Sequence, residues 1–144
     1  MLSGGLCDDA RLDHPVNGDT HMTFIPEHLT VWAEIPVTDL DRAIAFYNAV
    51  FQNDLKKDEN GPNPMAMFQT KENKGVAGHL YPGKPAPEGT GPTVHMLVPD
   101  NLEDSLERVK QAGGQVVSDI ISIPVGRFAY CLDPDGNSIG LFAY

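Results

Sequence analysis

The seventeen residues from Phe128 to Tyr144, FAYCLDPDGNSIGLFAY, constrain this chain more than any other stretch. Two short runs rich in β-branched and aromatic residues flank Asp133-Pro134-Asp135-Gly136-Asn137. Pro134 presets a turn φ and Gly136 tolerates a positive one, so the pattern reads as a β-hairpin. With the turn at residues 133–137, Cys131 falls opposite Ile139, Tyr130 opposite Gly140 and Phe128 opposite Phe142. Gly140 is then an odd strand residue, sharing its face with two phenylalanines and a phenol. A strand this close to the last residue is expected to be tied into a sheet.

Upstream, the same kind of pattern occurs twice. Leu29 to Val37 alternates, with Val31, Ala33, Ile35 and Val37 on one face and Trp32 and Glu34 on the other. A helix follows, with Thr38 and Asp41 as a capping pair and Leu40, Ala43, Ile44, Tyr47 and Phe51 as its apolar stripe. A polar loop, a strand over Met65–Thr70, a turn over Glu72–Gly75 and a strand over Val76–Tyr81 complete a first module, residues 29–81. Residues 82–92, PGKPAPEGTGP, can continue neither sheet nor helix and read as a linker. The second module, residues 93–144, restarts with Thr93 to Val98, placing Val94 and Met96 opposite Thr93 and His95. Asn101 then caps a helix striped by Leu102, Leu106, Val109 and Ala112 and ended by Gly113-Gly114. A strand over Gln115–Ser118 and a loop through Pro124 lead to the hairpin. The fold class expected is α+β: two βαβββ modules in one chain, with a helix covering one face of each sheet and the other face curling into a cup.

Composition sets the outer limits. A chain of 144 residues implies one domain with one core. Residues 1–28 read as a polar extension without a clear period, and they lack the basic and apolar regions of a secretory signal. No apolar run is long enough to span a membrane. Cys7 and Cys131, far apart and in unlike contexts, suggest free thiols in a reducing cytoplasm. A net charge of −10 argues against nucleic acid as a partner and is compatible with a cationic ligand. His14, His21 and His28 lack ligand spacing and read as surface residues, and Cys131 reads as a small core residue.

Three stretches, IPVTDLDRAIAFYNAVF, LERVKQAGGQVV and GRFAYCLDPDGNSIGLF, resemble the vicinal oxygen chelate superfamily of glyoxalases, bleomycin-resistance proteins and extradiol dioxygenases. The resemblance implies paired modules around a U-shaped cavity and a homodimer with its site near the interface. In metal-dependent relatives, one ligand comes from the first strand of each module and one from the last. Those places match Trp32, Thr93, Gly78 and Gly140 here, and such side chains lack the imidazole, carboxylate or thiolate donors a divalent metal needs. A register slip of one residue would put His79 in place of Gly78. No cofactor is therefore expected. A divalent metal held by Glu34 and His95 with His79 is the alternative.

Alternation leaves Trp32, Glu34, Thr93, His95, Phe128, Tyr130, Gly140 and Phe142 facing the cup. Glu34 and His95 occupy equivalent places in the two repeats. One reading makes Glu34 a general base or cation anchor with His95 or Tyr130 as hydrogen-bond partner, and the other lets the pair satisfy one another. Trp32, Thr93, Phe128, Gly140 and Phe142 would line the cavity. The function that follows is a metal-independent protein with a small-molecule cavity, either an enzyme of lyase, isomerase or dioxygenase ancestry or a drug-sequestering protein of the bleomycin-resistance kind.

Overall fold

A computed structural model describes residues 22–144. Cys7, His14 and His21 lie outside the described residues. The chain divides into a first unit ending at Val31 and a compact unit from Trp32 to Tyr144. Residues 22–31 contain no helix or strand, and His28 is exposed, 3.9 Å from Glu27. No helix among the described residues is long and apolar enough to cross a membrane.

In the second unit the duplication is explicit. The first module runs β1 (Trp32–Val37), α1 (Leu40–Phe51), β2 (Lys57–Asp58), β3 (Met65–Met67) and β4 (Ala77–Pro82). The second runs β5 (Val94–Leu97), α2 (Leu102–Gln111), β6 (Gln115–Val116), β7 (Ile121–Ile123), β8 (Gly126–Leu132) and β9 (Ser138–Ala143). The sheet orders are β1-β4-β3-β2 and β5-β9-β8-β6, with β7 also pairing β8. In each module the first and last strands pair in parallel and the remaining pairs are antiparallel. The α+β class with two repeated modules thus stands, the first being βαβββ and the second carrying β7 as one strand more. The closing hairpin has the register read from its turn: Cys131↔Ile139, Tyr130↔Gly140, Phe128↔Phe142.

Each difference from the sequence reading has a local cause. The first strand begins at Trp32 rather than Leu29, because its ladder starts with the Trp32↔Ala77 pair. Val31 is 70% exposed rather than packed under a helix. Asp39, not Thr38, caps α1, its carboxylate accepting from the Arg42 N–H at 3.1 Å. Thr38 is engaged elsewhere, donating its N–H and hydroxyl to Asp135. The third strand stops at Met67 rather than Thr70. There the Asn53 side-chain amide takes over the Gln69 backbone, accepting from its N–H at 2.8 Å and donating to its carbonyl at 3.1 Å. Ile121–Ile123, expected as loop, forms a strand because β8 extends back to Gly126 and offers it a backbone ladder.

Both helices bury their stripes in one continuous core. Phe46, Tyr47 and Val50 of α1 and Leu102, Leu106 and Val109 of α2 pack with Ile35, Leu80, Ile139 and Leu141 of the sheets. Each fully buried aliphatic or aromatic side chain contributes roughly 1.5–3 kcal/mol by leaving water. Asn101 caps α2 as expected, accepting from the Asp104 N–H at 2.8 Å, and Gly113 ends that helix at φ +102°. Arg108 of α2 ties the modules together. It donates to the Val50 carbonyl in the last turn of α1 at 3.0 Å and to Asp100 at 2.9 Å. The hydrogen bonds from Arg108 and Ser105 hold the Asp100 carboxyl down at about 2.

Cys131 is fully buried on the helix side of β8, as read from the sequence, and burial pushes its thiol up to about 11. Only the thiolate reacts with alkylating agents. Iodoacetamide at pH 8 is therefore expected to leave Cys131 unlabelled in folded protein and to label it in 8 M urea. Rapid labelling of Cys131 without denaturant, followed by mass spectrometry of its peptide, would contradict this placement.

Candidate functional site

Paired residues in parallel strands share a face, so the pairing fixes what each module presents away from its helix. In the second module the register Val94↔Ile139, His95↔Gly140, Leu97↔Phe142 sends Val94, Ile139 and Leu141 toward α2 and leaves His95, Gly140 and Phe142 on the open face. Phe128 and Tyr130 of β8 join them through the hairpin register. The His95 ring stands edge-on to Phe128 at 5.1 Å and lies 5.7 Å from Tyr130, while Phe128 and Phe142 lie parallel at 6.0 Å. A cleft of about 350 Å³ opens here, lined by His95, Leu97, Ile123, Phe128, Phe142 and Tyr144 together with Met96.

Gly140 has a definite role in this arrangement. A Cβ at position 140 would fall on the His95 imidazole, against Nδ1, Cε1 and Cγ. The glycine is thus the floor on which the His95 ring lies. Thr93, one step back on the same face, exchanges a hydrogen bond with the Ser138 hydroxyl at 2.5 Å.

In the first module the register Glu34↔His79 puts the imidazole of β4, not Gly78, on the open face. Gly78 pairs with Ala33 and is buried toward the helix side, where a Cβ would run into the Ala33 carbonyl. The match of Gly78 to a cup position is corrected accordingly, and His79 takes its place. Counting back by twos from Tyr81 along AGHLYP marks His79 as a face-mate of Tyr81, a signal present in the sequence. The Trp32 indole N–H donates to His79 Nδ1 at 2.8 Å, and the His79 ring lies 6.0 Å from Tyr81. Glu34 is exposed and has no hydrogen bond or ion pair among the described residues.

The structure therefore groups the expected site residues into two sets. His95, Phe128, Tyr130, Gly140 and Phe142 come together on the second sheet, and Trp32 and Glu34 join His79 on the first. Glu34 and His95 stand in different sheets and share no hydrogen bond, so the reading in which the pair satisfies itself is not met among the described residues, and Tyr130 does not hydrogen-bond Glu34 either. Tyr144 and Ile123 are lining residues that sequence reasoning missed, whereas alternation put Leu97 on the face of Thr93 and His95 without naming it as lining. Ile123 lay in an unrecognised strand, and Tyr144 looked like a chain end.

A divalent metal does not fit the donor set at the four places matched to ligands. Trp32 and Gly140 offer no donor atom. The Thr93 hydroxyl is held by Ser138, and the Nδ1 lone pair of His79 is occupied by Trp32. Among the described residues, no group of three or more His, Cys, Asp or Glu side chains is placed to hold a metal ion. The alternative metal set of Glu34, His79 and His95 is likewise not assembled.

Fold and site together define a twin-module α+β protein with two sheets and an aromatic cleft on the open face of the second. Residues 25–141 match the model of the Glyoxalase/Bleomycin resistance protein/Dioxygenase superfamily, and the chain belongs to that family. It is 30% identical over 113 residues to a glyoxylase-like domain-containing protein of Didymella fabae, covering 73% of this chain and 85% of that one. Among solved structures it resembles a hypothetical protein from S. aureus with TM-score 0.61 and 20% identity, over 82% of this chain and 98% of the other. It also resembles the fosfomycin resistance protein FosX from Mesorhizobium loti with TM-score 0.60 and 18% identity, over 83% and 94%. These two likenesses are of fold.

Proposed function

We propose that this chain is a small-molecule-binding member of the family that takes the apolar or aromatic part of its ligand on the cup face of the second module. The observation that carries this reading is the cleft around His95, walled by Phe128 and Phe142 and open to solvent. Aromatic rings offer apolar area and negative faces, and a chain of net charge −10 draws cations toward them. The ligand class favoured is a hydrophobic cation, held without conversion as in drug sequestration. A second copy of the chain would complete the cup. In support, both open faces leave large apolar side chains bare, Trp32 at 40% and Leu97 at 60% exposure. The free, buried Cys131 fits a reducing cytoplasm.

Benzyltrimethylammonium added to isotope-labelled protein is expected to shift the amides of His95, Leu97 and Phe142 saturably. Phe142→Ala should weaken that binding about tenfold, the equivalent of 1.4 kcal/mol. Shifts confined to other surfaces, or binding unchanged in Phe142→Ala, would remove the cleft from the function. Sedimentation of the free protein at twice the monomer mass is the expected result for assembly.

Glu34 supports a second, enzymatic reading, with the carboxylate as general base and His95 or Tyr130 as hydrogen-bond partner in the completed cup. What favours it is a carboxylate on the open face that no other described residue uses. That reading requires Glu34→Gln to keep the fold and abolish turnover, whereas sequestration requires saturable binding with no product.

A further inference from the structure

We infer that Trp32 is a positioning residue that fixes the tautomer of His79, so that His79 presents its Nε2–H to a ligand oxygen beside the free carboxylate of Glu34. This inference rests on the reading of the cup face as the binding face, but its first test needs no ligand. An indole N–H is a donor only, and a neutral imidazole has one donor nitrogen and one acceptor nitrogen. The 2.8 Å contact from Trp32 Nε1 to His79 Nδ1 therefore uses the Nδ1 lone pair and places the ring proton on Nε2. The other ring nitrogen has no hydrogen-bond partner among the described residues.

Glu34 is the strand partner of His79 in the parallel β1–β4 pair, so the two side chains leave the same face one strand spacing apart, about 4.8 Å. The carboxylate is an acceptor and Nε2–H a donor, yet neither uses the other. Two open groups of opposite sense, side by side, suit a ligand edge that carries an acceptor next to a donor. A carboxamide has that edge: its carbonyl oxygen would accept from His79 Nε2–H while its N–H donates to Glu34. Trp32 and Tyr81 flank the pair with apolar ring surface. The indole thus acts twice, as a wall and as the group that keeps the imidazole's donor pointing outward.

Long-range proton–nitrogen correlation of the ligand-free protein at pH 8 reads the tautomer directly. The wild-type His79 ring is expected as a single Nε2–H form, and Trp32→Phe, which keeps an aromatic wall and removes the donor, as a mixture of both forms. A wild-type ring that is already mixed, or carries its proton on Nδ1, overturns the inference. So does a Trp32→Phe ring still fixed as Nε2–H, with the amide spectrum confirming the fold in each case. Benzamide is the probe for the pair. It should shift the His79 Nε2 resonance saturably, and Glu34→Gln should weaken that binding at least tenfold. A shift indifferent to Glu34→Gln overturns the pairing with Glu34. Failure of benzamide to perturb His79 while benzyltrimethylammonium still binds beside His95 overturns the carboxamide assignment and leaves the cleft reading intact.

Discussion

Replacing Asp133 with alanine is expected to cost about 3–5 kcal/mol of folding stability, the largest loss from any single polar residue among the described residues. Asp133 is 3% exposed and accepts four hydrogen bonds. Its Oδ2 takes the Tyr47 hydroxyl at 2.6 Å and the Asn137 amide at 3.0 Å, and its Oδ1 takes the backbone N–H groups of Asp135 and Asn137, each at 2.9 Å. Truncation would strand the Tyr47 hydroxyl and the two backbone N–H groups and leave the Asn137 amide only the Pro36 carbonyl. A buried unsatisfied donor costs roughly 1–3 kcal/mol. The loss should also be shared between the modules, because Tyr47 belongs to α1 while the turn belongs to the closing hairpin. Asp135 makes the same connection beside it, accepting from Arg42 at 2.8 Å as well as from Thr38. Urea unfolding should show the midpoint falling at an unchanged slope. A change below about 1 kcal/mol would mean that the turn does not lock the modules.

The same network sets an alkaline limit. Burial, then the charge and hydrogen bond of Asp133 and the charge of Asp135, push the Tyr47 phenol well above its usual 10.0. A group whose folded value is raised contributes stability that is complete below the unfolded value and is lost as pH rises through the folded one. Stability should therefore hold up to about pH 10 and decline beyond it, with Tyr47 ionising only as the chain unfolds. Tyr47→Phe should lower stability at neutral pH by about 1.5–3 kcal/mol and flatten the alkaline decline.

What could be read from the chain beforehand divides by the range of the interaction that decides it. The β8–β9 register was legible because a five-residue turn and a period of two determine it locally. The Asn101 cap and the Gly113 stop were legible for the same reason. Asp39 displaced Thr38 as the α1 cap because Thr38 answers to Asp135, far along the chain, and no local pattern contains that partner. His79 is the instructive case. Its face could be counted from Tyr81, but a match made by motif settled on Gly78, one residue away, and a one-residue slip exchanges the two faces of a strand. The Trp32–His79 bond was hidden by that slip. The role of Gly140 was hidden by a different cause: the sequence showed that a side chain was missing, and only packing shows that the His95 ring fills the space.

Gly140→Ala puts that packing to the test, because a Cβ at this position has nowhere to go while the His95 ring stays where it is. The atoms it would strike include Cγ, close to the backbone, so tilting the imidazole does not relieve the contact. The ring must turn about χ1, away from the edge-on contact with Phe128, or the strands must part. Forcing an extra methyl into a packed site costs typically 1–3 kcal/mol, and the cleft would lose the His95 imidazole from its lining with the same step. Binding of benzyltrimethylammonium beside His95 should fall together with stability. Gly78→Ala is the control: its Cβ meets the Ala33 carbonyl, a backbone atom that cannot swing aside, on the helix side of the sheet. It should destabilise at least as much, while the folded fraction keeps its second-module cleft. The decisive comparison removes the ring. In a His95→Ala background the added methyl at position 140 fills vacated space, so Gly140→Ala should be close to neutral there, giving a coupling energy of roughly 1–3 kcal/mol between two residues in direct contact. An equal cost of Gly140→Ala in both backgrounds would mean that the glycine is required by the strand itself, and that the His95 ring does not depend on it.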